Sequence, residues 1–294
     1  MVRKAVIPIA GYGLRCLPFS KAIPKTMINV ITTPVIQLIV DELVQSGVKE
    51  ILFVEGSSGY IVQNHFSRNV ELENFLIEKD LQPTLANVRD IHTQANFYFM
   101  QPKEITGSGS SILAAKNWVG NEPFLILCGD EFFTGKIPVV KQLIDVYEKT
   151  GKSVIATKVI TDDERENFGV LEGKLNGKIL EITRTVEKPK KHETDSNYAG
   201  MGRYLLTPDI FEYLENTKPS AGNEIQLTDA MQTKNLEKHD IVGYVYDGKR
   251  YDCGNKFGYM VASIEAAIKD KDIAVQIKEY LSKLHSKDYV IDEN

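Results

Sequence analysis

The run Phe124-Leu125-Ile126-Leu127-Cys128 is apolar at every position and stops abruptly at Gly129-Asp130-Glu131. A strand with one wet face alternates polar and apolar side chains. A run with no polar member therefore predicts a strand covered on both faces, as in a parallel sheet between two helix layers. The first third of the chain agrees. Ala5-Val6-Ile7-Pro8-Ile9 and Glu50-Ile51-Leu52-Phe53-Val54 read as strands. Between them Ile36, Ile39, Val40, Leu43 and Val44 share one face at helical spacing, with Pro34 at the start and Gly47 as the stop. That is a βαβ unit. Helices over 58–90, a strand at 96–100, helices near 110–119 and 138–149 and a strand at 153–159 continue it. In open α/β sheets, ligands sit outside the carboxyl ends of the strands, which makes Asp130 a candidate functional residue.

Beyond Val159 the pattern changes to short, hairpin-like runs at Val170-Leu171, 179–186 and 203–206, broken by glycines and a Lys/Pro-rich loop at 188–193. Helices follow Pro208 and Glu224, a strand lies at 241–246, and one long helical tail runs from 256 to 285. The expected fold class is α/β: a Rossmann-like, mostly parallel sheet flanked by helices over 1–160, an inserted smaller α+β lobe at 161–235, and a return to the core with C-terminal helices at 236–294.

Charge narrows the function classes. Thirty-five Lys and Arg against 40 Asp and Glu give a net charge of −5, so no global positive field draws in nucleic acid or an anionic membrane. No apolar run reaches the roughly 18 residues that span a bilayer, and the first residues run into a strand without a signal-peptide core, so a cytoplasmic protein is expected. Cys16, Cys128 and Cys253 have neither disulfide nor zinc spacing, and the five histidines lie far apart. Phe97, Tyr98 and Phe99 are expected in the core, as is Trp118.

The segment from Gly11 to Lys25 follows the first strand directly. Gly11 and Gly13 let backbone N–H groups approach phosphate oxygens, and Arg15 and Lys25 supply positive charge. Two glycines alone mean a tight turn. A dinucleotide-binding turn needs a third small residue, a continuing helix and an acid about 20 positions on. Here the third position is Cys16, Pro18 and Pro24 interrupt any helix, and the acid ending the second strand is Glu55, 55 − 11 = 44 residues away. A P-loop fails too, for want of Gly-Lys-Ser/Thr.

The stretch from Ala5 to Met27 resembles the signature loop of sugar-1-phosphate nucleotidylyltransferases, most closely the bacterial UTP–glucose-1-phosphate uridylyltransferase family, whose usual form is AGxGTRxLPxTKxxPKxM. The resemblance recurs in order at Glu71-Leu72-Glu73, 101–109, Gly129-Asp130, Phe168-Gly169-Val170, 186–189, Ser196-Asn197, Gly202-Arg203-Tyr204, 222–230 and 248–254, and so covers roughly the whole chain. It implies a nucleotide-diphospho-sugar transferase fold whose inserted lobe binds the sugar. By position, Ala10, Gly11, Gly13, Gln101 and Gly107 would bind the nucleotide, Gln101 reading uracil. Arg15 and Lys25 would hold the UTP phosphates, and Asp130 and Asp252 would bind Mg²⁺. Gly169, Glu187, Lys188 and Asn197 would hold the sugar phosphate. Glu224 would face the sugar, or cap the next helix together with Asn223. The partners implied are UTP and glucose 1-phosphate, with products UDP-glucose and pyrophosphate, in a homodimer or homotetramer. Ile264, Ala267, Ile268 and Ile273 of the tail would form an interface or fold back on their own domain.

Several positions depart from the pattern: Leu14 for threonine, Thr26 for glutamate, Glu131 for a second aspartate, and Thr106, Ser108 and Ser110 for Lys, Leu and His. Losing one hydroxyl at Leu14 is worth about 0.5–1.5 kcal/mol for an ordinary hydrogen bond. The alternatives are the same chemistry on another nucleotide or sugar, and a nucleotide-sugar-binding paralogue without turnover.

Overall fold

The computed structural model describes residues 1–190, 192–219 and 223–285; Gly222, at the head of the 222–230 motif, lies outside them. The elements in chain order are β1 (Lys4–Ile9), β2 (Asn29–Val30), β3 (Thr33–Pro34), α1 (Val35–Gln45), β4 (Glu50–Glu55), α2 (Tyr60–Phe66), α3 (Val70–Glu78), α4 (Gln82–Arg89), β5 (Asn96–Met100), α5 (Ser108–Ala114), α6 (Lys116–Val119), β6 (Phe124–Leu127) and β7 (Glu131–Thr134). They continue with α7 (Val139–Thr150), β8 (Ser153–Val159), β9 (Gly169–Asn176), β10 (Ile179–Glu187), β11 (Tyr198–Leu206), α8 (Ile210–Asn216), α9 (Leu227–Lys238), β12 (Ile241–Val245), β13 (Lys249–Asp252), α10 (Lys256–Ala267) and α11 (Ala274–His285).

Among the described residues a nine-stranded sheet runs β5-β4-β1-β6-β11-β8-β12-β10-β9. Only β11 and β10 oppose the common strand direction, so the sheet is mostly parallel. The apolar run at 124–127 is its interior, flanked by β1 and β11 and buried throughout. Alternation sorts its side chains into two cores. Ala5, Ile7, Ile51, Phe53, Leu125 and Leu127 pack with Ile36, Ile39, Val40 and Leu43 of α1 and with α7. Val6, Leu52 and Ile126 pack with Ile112 of α5, Phe211 of α8 and Met231 of α9.

The segment 161–235 has no sheet of its own: β9 and β10 extend the far edge of the main sheet and β11 passes through its middle. The reason is apolar cover. Ala199, Met201 and Leu205 of β11 join one core and Leu206 the other, a pattern a small separate lobe would leave wet. Three details differ from the sequence reading. The tail breaks into α10 and α11, where the Asp270 carboxylate accepts from the backbone N–H groups of Asp272 and Ile273 at 2.9 and 3.2 Å. Tyr98 on edge strand β5 is exposed, its hydroxyl donating to Glu50 at 2.7 Å, while Phe97 and Phe99 pack inward. A two-stranded ribbon of β7 and β13 was not evident from the sequence. The described cysteines are free, and no helix among the described residues is long and apolar enough to cross a membrane.

Candidate active site

The parallel strands end together: Ile9 of β1 is opposite Glu55 of β4, and Val54 is opposite Met100 of β5. The segments that follow, at Ala10-Gly11, Gly56, Gln101 and Cys128–Asp130, therefore open from one edge of the sheet. Gly56 lies against the turn, since a β-carbon there would stand 3.2 Å from the Ala10 carbonyl oxygen. The segment 14–27 coils into three short 3-10 turns rather than a helix. Gly13 takes φ +64°, and its carbonyl accepts from Cys16 N at 2.8 Å and from the Ser20 hydroxyl at 2.8 Å. Above Gly11 there is open space, and Tyr12, Leu14 and Arg15 are exposed.

The ribbon brings the two expected cation ligands together. Asp252 pairs with Glu131, and Cys253 N donates to the Asp130 carbonyl at 2.9 Å. Gly254 lies between the carboxylates: a β-carbon there would be 2.4 Å from Asp130 Oδ2 and 3.0 Å from Asp252 Oδ1. Gly254 N–H also donates to Asp252 Oδ1 at 2.9 Å. Lys25 Nζ, at the end of the signature loop, donates to Asp130 Oδ2 at 2.5 Å. Burial alone would lower the Lys25 pKa, but the Asp130 carboxylate outweighs it and holds the ammonium above its ordinary value; Arg15 acts in the opposite sense. Among the described residues no cluster of three or more His, Cys, Asp or Glu forms a metal cage. Two facing carboxylates fit a hard cation that keeps water and takes its other ligands from phosphate oxygens.

Three of the residues expected on the sugar side, Gly169, Glu187 and Lys188, gather at the paired ends of β9 and β10. Gly169 is opposite Glu187, and a β-carbon on Gly169 would lie 3.0 Å from Glu187 Oε2. Lys188 N donates to the Phe168 carbonyl at 3.0 Å, with Lys188 at φ +43°. Burial pushes the Glu187 carboxyl above its ordinary pKa; Lys188 pulls it back and Asp229 adds to the rise. Asp229 was missed by sequence reasoning, although it lies in the 222–230 motif. Burial pushes the Tyr204 phenol well up, and Cys128, Glu131 and Glu187 add to the shift. Asn197 is not brought to this group. Its Oδ1 accepts from Arg165 Nε at 2.9 Å, and the register leaves Gly200 beside Gly169, where a Gly200 β-carbon would lie 3.7 Å from the Gly169 carbonyl oxygen.

Gly107 and Glu224 meet elsewhere, in a strap joining 106–109 to 224–227. Ile225 N donates to the Thr106 carbonyl and Gly109 N to the Ile225 carbonyl, both at 2.8 Å. Gly107 holds φ +92°, and a β-carbon there would stand 2.6 Å from Ile225 O and 2.8 Å from Glu224 Cβ. Helix α9 starts after Gln226, whose own side chain does not cap it, and Gln226 Nε2 donates to Glu224 Oε2 at 2.7 Å. Two of the loop departures stitch the strap: Ser110 Oγ accepts from Thr106 N at 2.8 Å and donates to the Gly107 carbonyl at 2.9 Å, and Ser108 Oγ accepts from Leu227 N at 3.3 Å. Gln101 stands exposed just past β5. Thr26 is buried under Gly129, its hydroxyl without a partner among the described residues.

The chain is similar to known proteins over nearly its whole length. Residues 4–268 match the nucleotidyl transferase family. A UTP–glucose-1-phosphate uridylyltransferase of Staphylococcus epidermidis is 40% identical over 284 residues, covering 96% of this chain and 98% of that protein. A UTP-bound UGPase from Acinetobacter baumannii superposes with a TM-score of 0.90 at 31% identity, covering 97% of this chain and 100% of that one. A UDP-glucose pyrophosphorylase complexed with UDP-glucose superposes with a TM-score of 0.83 at 37% identity, covering 92% and 100%. Matched by that family's model over residues 4–268 and 40% identical to such an enzyme over nearly its whole length, the chain belongs to the nucleotidyl transferase family.

Proposed function

We propose that this chain is a UTP:glucose-1-phosphate uridylyltransferase, forming UDP-glucose and pyrophosphate. The carrying observation is the cluster of Lys25, Asp130 and Asp252 around Gly254, at the mouth of the same sheet edge that bears the signature loop. Near-full-length identity to uridylyltransferases and superposition on UTP and UDP-glucose complexes support the substrates.

Glucose 1-phosphate, with a second phosphate pKa near 6, is roughly nine-tenths dianionic at pH 7, so its oxygen attacks the α-phosphorus of UTP without a general base. The new P–O bond forms as the bond to the β-phosphate breaks and its electrons leave with pyrophosphate. The protein aligns attacking and leaving oxygens and offsets repulsion between two polyanions. Ala10, Gly11, Gly13, Gln101 and Gly107 cradle the nucleotide; Arg15 and Lys25 hold its phosphates. Glu187 accepts from glucose hydroxyls and Lys188 pairs with the sugar phosphate, beside Gly169. Asp130 and Asp252 would hold Mg²⁺, which when bound supplies positive charge to the triphosphate. Because Lys25 is paired with Asp130, nucleotide entry exchanges that partner for phosphate oxygens. We place the enzyme in the cytoplasm as a homodimer or homotetramer, with neither nucleic acid nor membrane as partner.

Pyrophosphate release with Mg²⁺ across four nucleoside triphosphates and several hexose 1-phosphates tests the reading, with Asp130→Ala as control. Turnover confined to UTP and glucose 1-phosphate, and lost in the control, is expected. Turnover with a different pair reassigns the substrate, and binding without release anywhere marks a non-catalytic nucleotide-sugar binder.

A further inference from the structure

Arg250 touches both halves of the site. It lies on β13, its side chain 14% exposed. Its Nε stands 2.5 Å from Glu131 Oε2 and its Nη2 3.4 Å from Asp252 Oδ2. Its guanidinium stacks over the Phe168 ring at 5.2 Å. Phe168 in turn accepts the Lys188 N–H and precedes Gly169, the partner of Glu187. At 3.4 Å the Asp252 contact is one of charge rather than a full hydrogen bond, so Oδ2 keeps its lone pairs while Gly254 N–H fixes Oδ1.

A bare ion pair with Glu131 needs only a point charge, which lysine supplies. The planar fork and the stacking face are what set arginine apart. Here the fork spans Glu131 and Asp252 while the face carries Phe168. We propose that Arg250 is a positioning residue that couples the two half-sites, orienting the Asp252 carboxylate toward Asp130 and, through Phe168, holding the Lys188 backbone at the sugar phosphate. The inference rests on the uridylyltransferase reading and extends it to a residue outside the substrate contacts. Outer partners of metal-binding carboxylates act in this way, their loss weakening affinity or activity about 10- to 100-fold.

Arg250→Lys keeps the charge that Glu131 needs, and Phe168→Leu removes only the ring. Mn²⁺ affinity is read by electron paramagnetic resonance without substrates, melting temperature by calorimetry, and KM and kcat for each substrate by pyrophosphate release. Arg250→Lys is expected to weaken Mn²⁺ and raise KM for glucose 1-phosphate, each about tenfold or more, with the melting temperature little changed. Phe168→Leu should raise KM for glucose 1-phosphate and leave Mn²⁺ affinity alone. An Arg250→Lys protein with wild-type Mn²⁺ affinity, or with a wild-type KM for glucose 1-phosphate, overturns the coupling, as does a lowered melting temperature with both unchanged. Absence of turnover in the wild type overturns the uridylyltransferase reading instead, and the Mn²⁺ comparison then still decides whether Arg250 orients Asp252.

Discussion

Leu14 is 74% exposed on the lip of the signature loop, so its side chain does little packing and its replacement is a clean test of chemistry. Leu14→Thr restores a hydroxyl where the family has one and should tighten UTP binding by about 0.5–1.5 kcal/mol with an unchanged melting temperature. Calorimetric titration with UTP checks this, and equal affinities would show that the loop backbone suffices. Glu187 carries a pH signature. Its pKa is raised in the fold, so the folded state binds its proton more readily than the unfolded chain. Lowering the pH therefore converts it to a poor acceptor before an ordinary carboxylate, above pH 4.5, and its ionisation costs stability as pH rises through the raised value. KM for glucose 1-phosphate should climb on this acid limb, and Glu187→Gln should lack the limb while keeping the one from the sugar phosphate's own ionisation near pH 6. Superimposable profiles for the two proteins would sink the assignment. Most of the expected site residues were legible because short motifs carried them one by one. Asp229 was not, because its effect on Glu187 arises where α9 packs on β10, and nothing local marks it.

Among elements, Arg203 of β11 knots the sheet to its helix layer. It is fully buried, 2.9 Å from Glu42 Oε2 on α1, and donates to the Glu131 carbonyl at 2.9 Å, while Glu42 Oε1 accepts from Val140 N of α7 at 3.0 Å. Breaking such a pair strands a buried charge. Glu42→Gln should lose about 3–5 kcal/mol in urea unfolding; a loss under 1 kcal/mol would mean that the carbonyls around Arg203 already satisfy it. Element periodicity made β1, β4, β5, β6, β8, α1 and α7 readable to within a residue or two, whereas only 203–206 of β11 was read and its first five residues were not. The ribbon of β7 and β13 was hidden because each strand is four residues long and its partner lies over a hundred positions away. The split between α10 and α11 was hidden because Asp270 makes it with a side-chain turn inside an otherwise helical pattern.

At the scale of the molecule, the sheet is one hydrogen-bonded body even though the sequence divides into a core, an insertion and a return. Chain order tells where segments begin, and apolar cover on both faces of β11 decides which sheet they join. Unfolding in urea should therefore give coincident transitions by Trp118 fluorescence, which reports the core around α6, and by far-UV circular dichroism. A separate early transition would make 161–235 an independent unit. The ribbon of β7 and β13 also has a consequence in time. Asp130 and Asp252 are 252 − 130 = 122 residues apart, and β12, made just before β13, fills a place inside the sheet between β8 and β10. While the chain is emerging from the ribosome, the signature loop and Asp130 are complete long before their second carboxylate exists. A fragment that stops short of β13 therefore lacks Asp252, and with it half of the proposed cation site, however well the rest of it folds.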